Sequence, residues 1–160
     1  MCYLWFLWRC LLINKNYLFV LYVLVLVGCA SAPTQEMSDA RQAVSAAHDV
    51  GAAEHASESV QQAEELLDKA ERELEQGDFG DAREDAEAAR AEAIKAQDIA
   101  QVMSATKLVL QDAAQRGVLS SDAAALFDRA QLAVDENRVH EAIRLANEAR
   151  HQAKQDLNLE

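Results

Sequence analysis

Between Ala82 and Met103 the chain sets Ala82, Ala86, Ala89, Ala93, Ala96, Ala100 and Met103 at alternating steps of four and three. Only the 3.6-residue turn of an α-helix gathers such positions into one stripe; a strand, with period two, would scatter them over both faces. The same spacing recurs in Val60, Ala63, Leu67, Ala70 and Leu74, and in Ala123, Phe127, Ala130 and Val134. No segment alternates with period two, so the pattern predicts an all-α fold of about five helices packed as antiparallel hairpins along alanine seams.

The boundaries follow from caps and breakers. A first helix is expected over residues 38–50, with Ala40, Ala43, Val44 and Ala47 inward and Gly51 closing it. A second is expected over 58–75, ending at the turn Gln76-Gly77-Asp78-Phe79, where Asp78 can cap the third helix. That third helix continues to about Gln115, past a polar interruption of the seam at Lys107, and Gly117 stops it. Ser120-Ser121-Asp122 opens a fourth to about Glu136, and a fifth carries Val139, Ala142, Ala146, Ala149 and Ala153. The hairpins, at about 58–100 and 121–156, repeat each other at an offset of sixty. Ala63, Leu67, Ala70, Leu74, Gly77, Phe79, Ala82, Ala86, Ala89 and Ala93 match Ala123, Phe127, Ala130, Val134, Asn137, Val139, Ala142, Ala146, Ala149 and Ala153. The shared turn position matters most, because Gly77 and Asn137 are the residue types that accept positive φ.

The segment Gly77-Asp78-Phe79-Gly80-Asp81-Ala82 resembles the inter-helix turn of tetratricopeptide repeats, without that repeat's closing proline and large aromatics. The Ala-rich first helix ending near Gly51 and the second helix leading into Gly77-Asp78-Phe79-x-x-Ala82 resemble small alanine-rich lipoproteins of the domain-of-unknown-function 4398 family. That likeness covers roughly residues 29–100 and implies a helical envelope lipoprotein, with no catalytic residues to carry over.

Residues 1–28 are a different material: no Asp or Glu, Arg9 and Lys15 as the cations, and all of the Trp and Tyr. The apolar run from Tyr17 to Val27 is short against the ~20 residues that span a bilayer, and Leu26-Val27-Gly28-Cys29 follows it. This resembles the lipobox of bacterial lipoproteins. The resemblance implies recognition of Leu26, Val27 and Gly28 by the lipoprotein signal peptidase, cleavage before Cys29, and a diacylglycerol thioether on the Cys29 sulfur. Residues 1–28 would then be a signal peptide, 29–37 a lipidated tether containing Pro33, and 38–160 the helical domain. The long aromatic stretch before Lys15 fits a translation start near Leu12 or Ile13. Cys2 and Cys10 lie in the removed segment, so Cys29 alone remains and no intramolecular disulfide can form. Ala30, standing where an Asp would resemble an inner-membrane retention signal, favours the outer membrane and a periplasmic location.

From Cys29 onward 27 acidic residues face 13 Lys and Arg. This balance argues against nucleic acid, whose phosphates need clustered cations, and against adsorption to anionic lipid. His48, His55, His140 and His151 have no metal-ligand spacing and read as solvent-exposed. Asp78, Asp81, Glu84 and Asp85 suit the positive end of a helix dipole better than a calcium loop, and Ser120 and Ser121 read as caps rather than nucleophiles. No catalytic, cofactor or metal site is therefore expected. The expected function is a non-enzymatic interaction or scaffolding module, tethered to the membrane through Cys29, with an envelope protein or peptidoglycan as partner and a groove between hairpins as its surface. The alternatives are a self-associating homo-oligomeric spacer and, behind it, a binder of divalent cations or cationic ligands.

Overall fold

The computed structural model describes residues 31–158, and among them there are six helices and no strand. These are α1 (Thr34–Asp49), α2 (Ala52–His55), α3 (Ser57–Gln76), α4 (Phe79–Gln115), α5 (Ser121–Asp135) and α6 (Val139–Asn158). Helix α1 begins four residues ahead of the expected start. Pro33 sits at its N-cap and is buried together with Met37, so the folded unit takes in most of the expected tether. Proline suits a helix start, where no amide hydrogen is needed. The short α2 was not expected; it occupies the loop after Gly51 and buries Ala52.

Helix α4, 37 residues and so about 55 Å long, is the spine. Its N-terminal half packs against α1 and α3, and α6 lies along its C-terminal half, while α5 is held mainly by α6. Cross-helix contacts fix the directions. Arg83 reaches Glu36 and Gln97 donates to the Ala43 carbonyl, so α1 and α4 run parallel. His48 meets Glu64 and Arg41 meets Glu71, so α3 is antiparallel to α1. Lys95 reaches Asn137 and Thr106 reaches the Ala146 carbonyl, so α6 is parallel to α4.

The expected seams are the core. Ala63, Ala70, Ala82, Ala86, Ala89, Ala93, Ala123, Ala130, Ala142, Ala146, Ala149 and Ala153 are all buried. Each adds little apolar area, but residues without long side chains let the helix axes close to the short end of the 8–10 Å range. The seam does not break at Lys107. After Met103 it takes one step of three and passes through Thr106, Leu110 and Ala113, all buried. Lys107 turns outward to Glu54 at 2.6 Å. Thr106 is tolerated inside because its hydroxyl bonds the Val102 carbonyl of its own helix at 2.8 Å or the Ala146 carbonyl at 3.1 Å.

This shift of phase extends the repeat. The buried residues Met37, Ala40, Val44 and Ala47 of α1 match Met103, Thr106, Leu110 and Ala113 of α4 at an offset of 66, and Gly51 matches Gly117. Both glycines lie at positive φ, 70° and 76°. The chain is thus two three-helix units, α1–α3–α4 and α4–α5–α6, sharing one long helix. Its first half closes the first unit and its second half opens the other. The offset falls from 66 to 60 because the first connection, which contains α2, runs over residues 50–56 against 116–120 in the second, and because α3 starts one turn earlier than α5.

The α3–α4 and α5–α6 turns are the same structure. Gly77 (φ 86°) and Asn137 (φ 55°) occupy the left-handed region. The Asp78 amide donates to the Glu73 carbonyl at 2.9 Å, and the Arg138 amide to the Ala133 carbonyl at 2.8 Å. This 6→1 bond satisfies a carbonyl that the ending helix leaves free. Asp78 stands at the N-cap of α4, but its side chain makes no capping bond. Ser120 does cap α5, its Oγ accepting from the Ala123 amide at 3.3 Å.

Candidate functional site

Leu26, Val27, Gly28 and Cys29 lie outside the described residues. Among the described residues no helix is long and apolar enough to cross a membrane. Nor do three or more His, Cys, Asp or Glu side chains come together as ligands for a metal ion.

An open groove of about 690 Å³ lies where the start of α6 approaches α4. Ala91, Ile94, Lys95 and Asp98 line one side; Val139, Glu141 and Ile143, with the turn at Asn137-Arg138, line the other. It is apolar at its floor and ionic at its rim. Ile94 is one of the few large apolar side chains left exposed. Lys95 pairs with Glu92 and Arg138 with both Glu136 and Glu141, so the rim charges are largely neutralised within the chain. This is a groove between the α3–α4 and α5–α6 hairpins. Its residues were not legible beforehand, because Ile94 and Ile143 lie off the alanine seams and meet only when α6 docks.

A second cluster lies between α3 and α4. Lys69 Nζ is 2.6 Å from Asp85 and 3.5 Å from Glu73, and the two carboxylates are only 13% and 17% exposed. Burial pushes the Glu73 carboxyl above its ordinary range, reinforced by hydrogen bonding with Asp85 and by that neighbour's charge; Lys69 opposes the rise. The hydrogen bond to Asp85 in turn raises the Lys69 ammonium. Sequence spacing did not single out this pair, since its members are twelve residues apart on different helices. Asp78, Asp81 and Glu84 stay exposed around it, and only Asp85 of the four turns inward.

The histidines divide. His140 and His151 are exposed, and His48 bonds Glu64 at 2.7 Å on the surface. His55 departs from the expected exposure: its ring is 7% exposed, beside a small polar cavity lined by Glu54, Glu58, Ser59, Ile99, Val134 and Asp135. Burial lowers its pKa below the usual imidazole value, Glu54 opposing this and Lys107 adding to it. The cause is the unforeseen α2, which ends at His55 and presses the ring inward. Ser121 is the first residue of α5, beside the capping Ser120, and the Ser120 amide donates to Asp156 at 3.1 Å.

No curated protein and no solved structure matches this chain. A family model does, over residues 35–116, just over half of the sequence. The matched stretch runs from the first turn of α1 to the residue after α4, that is, the whole first three-helix unit and the spine it shares with the second. The chain belongs to the DUF4398 family, a domain of unknown function.

Proposed function

We propose that this chain is a lipid-anchored, non-enzymatic interaction module of the cell envelope, held at the outer membrane through Cys29 and facing the periplasm. The observation that carries this reading is Leu26-Val27-Gly28-Cys29, directly after an eleven-residue apolar run and followed by small residues. Pro33 is buried at the start of the fold, and three residues of sequence, 30–32, stand between it and Cys29. Two or three acyl chains give stable attachment, each buried CH₂ contributing ~0.8 kcal/mol. The Ile94–Ile143 groove is the surface on which an envelope protein or a peptidoglycan-associated partner docks, as helical repeats use the concave side between units.

The test is palmitate labelling and in-cell crosslinking of the tagged full chain beside a Cys29→Ala variant. Label on the native chain alone, with a defined crosslinked partner lost in the variant, is the expected result. Absence of label from the native chain would remove the anchor, and an unchanged crosslinking pattern in the variant would remove its role in partner choice.

A further inference from the structure

Two buried polar side chains, His55 and Ser59, line the same hollow without a hydrogen-bond partner. The hollow, of about 90 Å³, lies where α2 and the first turn of α3 meet the end of α5. The His55 ring is 7% exposed, and the Glu54 carboxylate stands 4.0 Å from it, beyond hydrogen-bond length. Ser59 is equally buried, and its hydroxyl makes no hydrogen bond among the described residues. Buried polar groups are normally paired, so two orphans in one wall call for a partner from outside the chain. Water meets such groups in many proteins; charge sets this wall apart. Glu54, Glu58 and Asp135 line it, and no lysine or arginine does. Glu54 is held by Lys107, whereas Glu58 and Asp135 have no ion-pair partner among the described residues. A second hollow, of about 220 Å³, adjoins the first, sharing Glu54, His55, Val134 and Asp135 and adding Met103.

We propose that this hollow binds a primary alkylammonium group, carried by a small free amine or by a lysine side chain of a partner. An ammonium has three donors and no acceptor, and the wall offers it acceptors of three kinds: an imidazole, a hydroxyl and unpaired carboxylates. Burial keeps the His55 ring neutral, so one ring nitrogen has a lone pair to accept with. Ile99, Val134 and Met103 give the alkyl stem an apolar wall, as long cationic side chains require. A metal ion fits less well, because no three His, Cys, Asp or Glu side chains among the described residues come together to ligate one. The start of α3 by itself favours an anion, but three carboxylates around it oppose one. The volume is well below the ~300 Å³ at which sites for drug-sized ligands begin, so the hollow takes one unbranched chain rather than a ring system. The site depends neither on the anchor at Cys29 nor on the Ile94–Ile143 groove.

The experiment follows the imidazole signals of the full-length chain by NMR while n-butylammonium chloride is added, against sodium chloride at equal ionic strength. His55→Leu identifies the His55 signal by its loss. The expected result is a saturable shift of the His55 ring with butylammonium alone, while His48, His140 and His151 stay in place. Ser59→Ala and Glu58→Gln/Asp135→Asn should each weaken binding about tenfold, as loss of a hydrogen bond to a charged group does. Asp68→Asn/Asp122→Asn removes one carboxylate from each of the same two helices, ~15 Å or more along them, and should leave binding unchanged. Circular dichroism is expected to show the same helix in every variant, since the four exchanged carboxylates are exposed. A His55 ring that does not move, an equal response to sodium, or equal weakening by the two double variants overturns the proposal, the last by showing only diffuse attraction to an acidic surface. The source of the group is read by comparing Nα-acetyllysine methylamide with 1,5-diaminopentane. Tighter binding of the first supports a partner's lysine and of the second a free diamine; binding of neither overturns the site.

Discussion

The two three-helix units share a backbone plan yet differ in what lies beside their alanine seams. Where the first unit has Lys69, Glu73 and Asp85, the second has Arg129, Ala133 and Leu145 at the same offset of sixty. Ala133 and Leu145 are buried outright, whereas Glu73 and Asp85 are carboxylates held between helices with one lysine to serve both. Where the first unit has a half-buried Leu67, the second has a buried Phe127. The alanines are thus what the repeat keeps, because they set how near the helices come. The flanking positions are free to be ionic in one unit and apolar in the other. Partly buried ion clusters generally stabilise less than apolar side chains of similar volume, since desolvation offsets the attraction.

The largest test of this contrast compares the two apolar counterparts. Phe127→Ala should cost about 3–5 kcal/mol in urea unfolding, and Leu67→Ala about 2, because the leucine has less buried area to lose. Equal losses would mean that the second unit does not lean on its aromatic. Grafting the second unit's residues into the first is the next largest. Glu73→Ala/Asp85→Leu should raise the thermal midpoint by a few degrees, with Lys69, more than half exposed, turning to water. The same double variant should change the pH response. The Glu73 pKa is raised in the fold, so its contribution is complete below the ordinary value of 4.5 and is lost as pH rises through the raised value. The native chain should show that decline and the graft should not.

A smaller effect separates the two turns. Gly77→Ala forces a Cβ into the left-handed region and should cost about 1 kcal/mol, while Asn137→Gly should change stability by only a few tenths, both read from denaturation midpoints. The smallest concerns the loop present only in the first unit. Because the His55 pKa is lowered on folding, its contribution is fully present above the ordinary value of 6.5. It declines as pH falls through that value toward the lowered one. His55→Gln should flatten this part of the stability–pH curve, leaving the Glu73 part at lower pH unchanged.

Much of the fold was legible in the chain itself. Helix seams, the Gly77 and Asn137 turns, the Ser120 cap and the sixty-residue repeat are written in local terms: which residues can share a helical stripe, and which accept positive φ or cap an amide. Three features escaped for a common reason. Helix α2, the passage of the seam from Met103 through Thr106, and the inward turn of His55 each depend on where a distant helix lies. A hydroxyl at Thr106 reads as a defect until the Ala146 carbonyl stands across from it. The residues of the candidate groove were not legible, since Ile94 and Ile143 belong to no seam. The 66-residue match of α1 with the end of α4 was hidden because one continuous helix serves two units, and no turn marks the point where its role changes.

The sequence by itself determined that the described chain beyond its expected tether is helical, and where its two main turns fall. Those depend on spacing, caps and composition, which act over a few residues. Only the tertiary structure decided which helix is shared and which carboxylates are taken from water. Those outcomes depend on how near alanine seams let the helices approach, and a local pattern does not say which helix will do so.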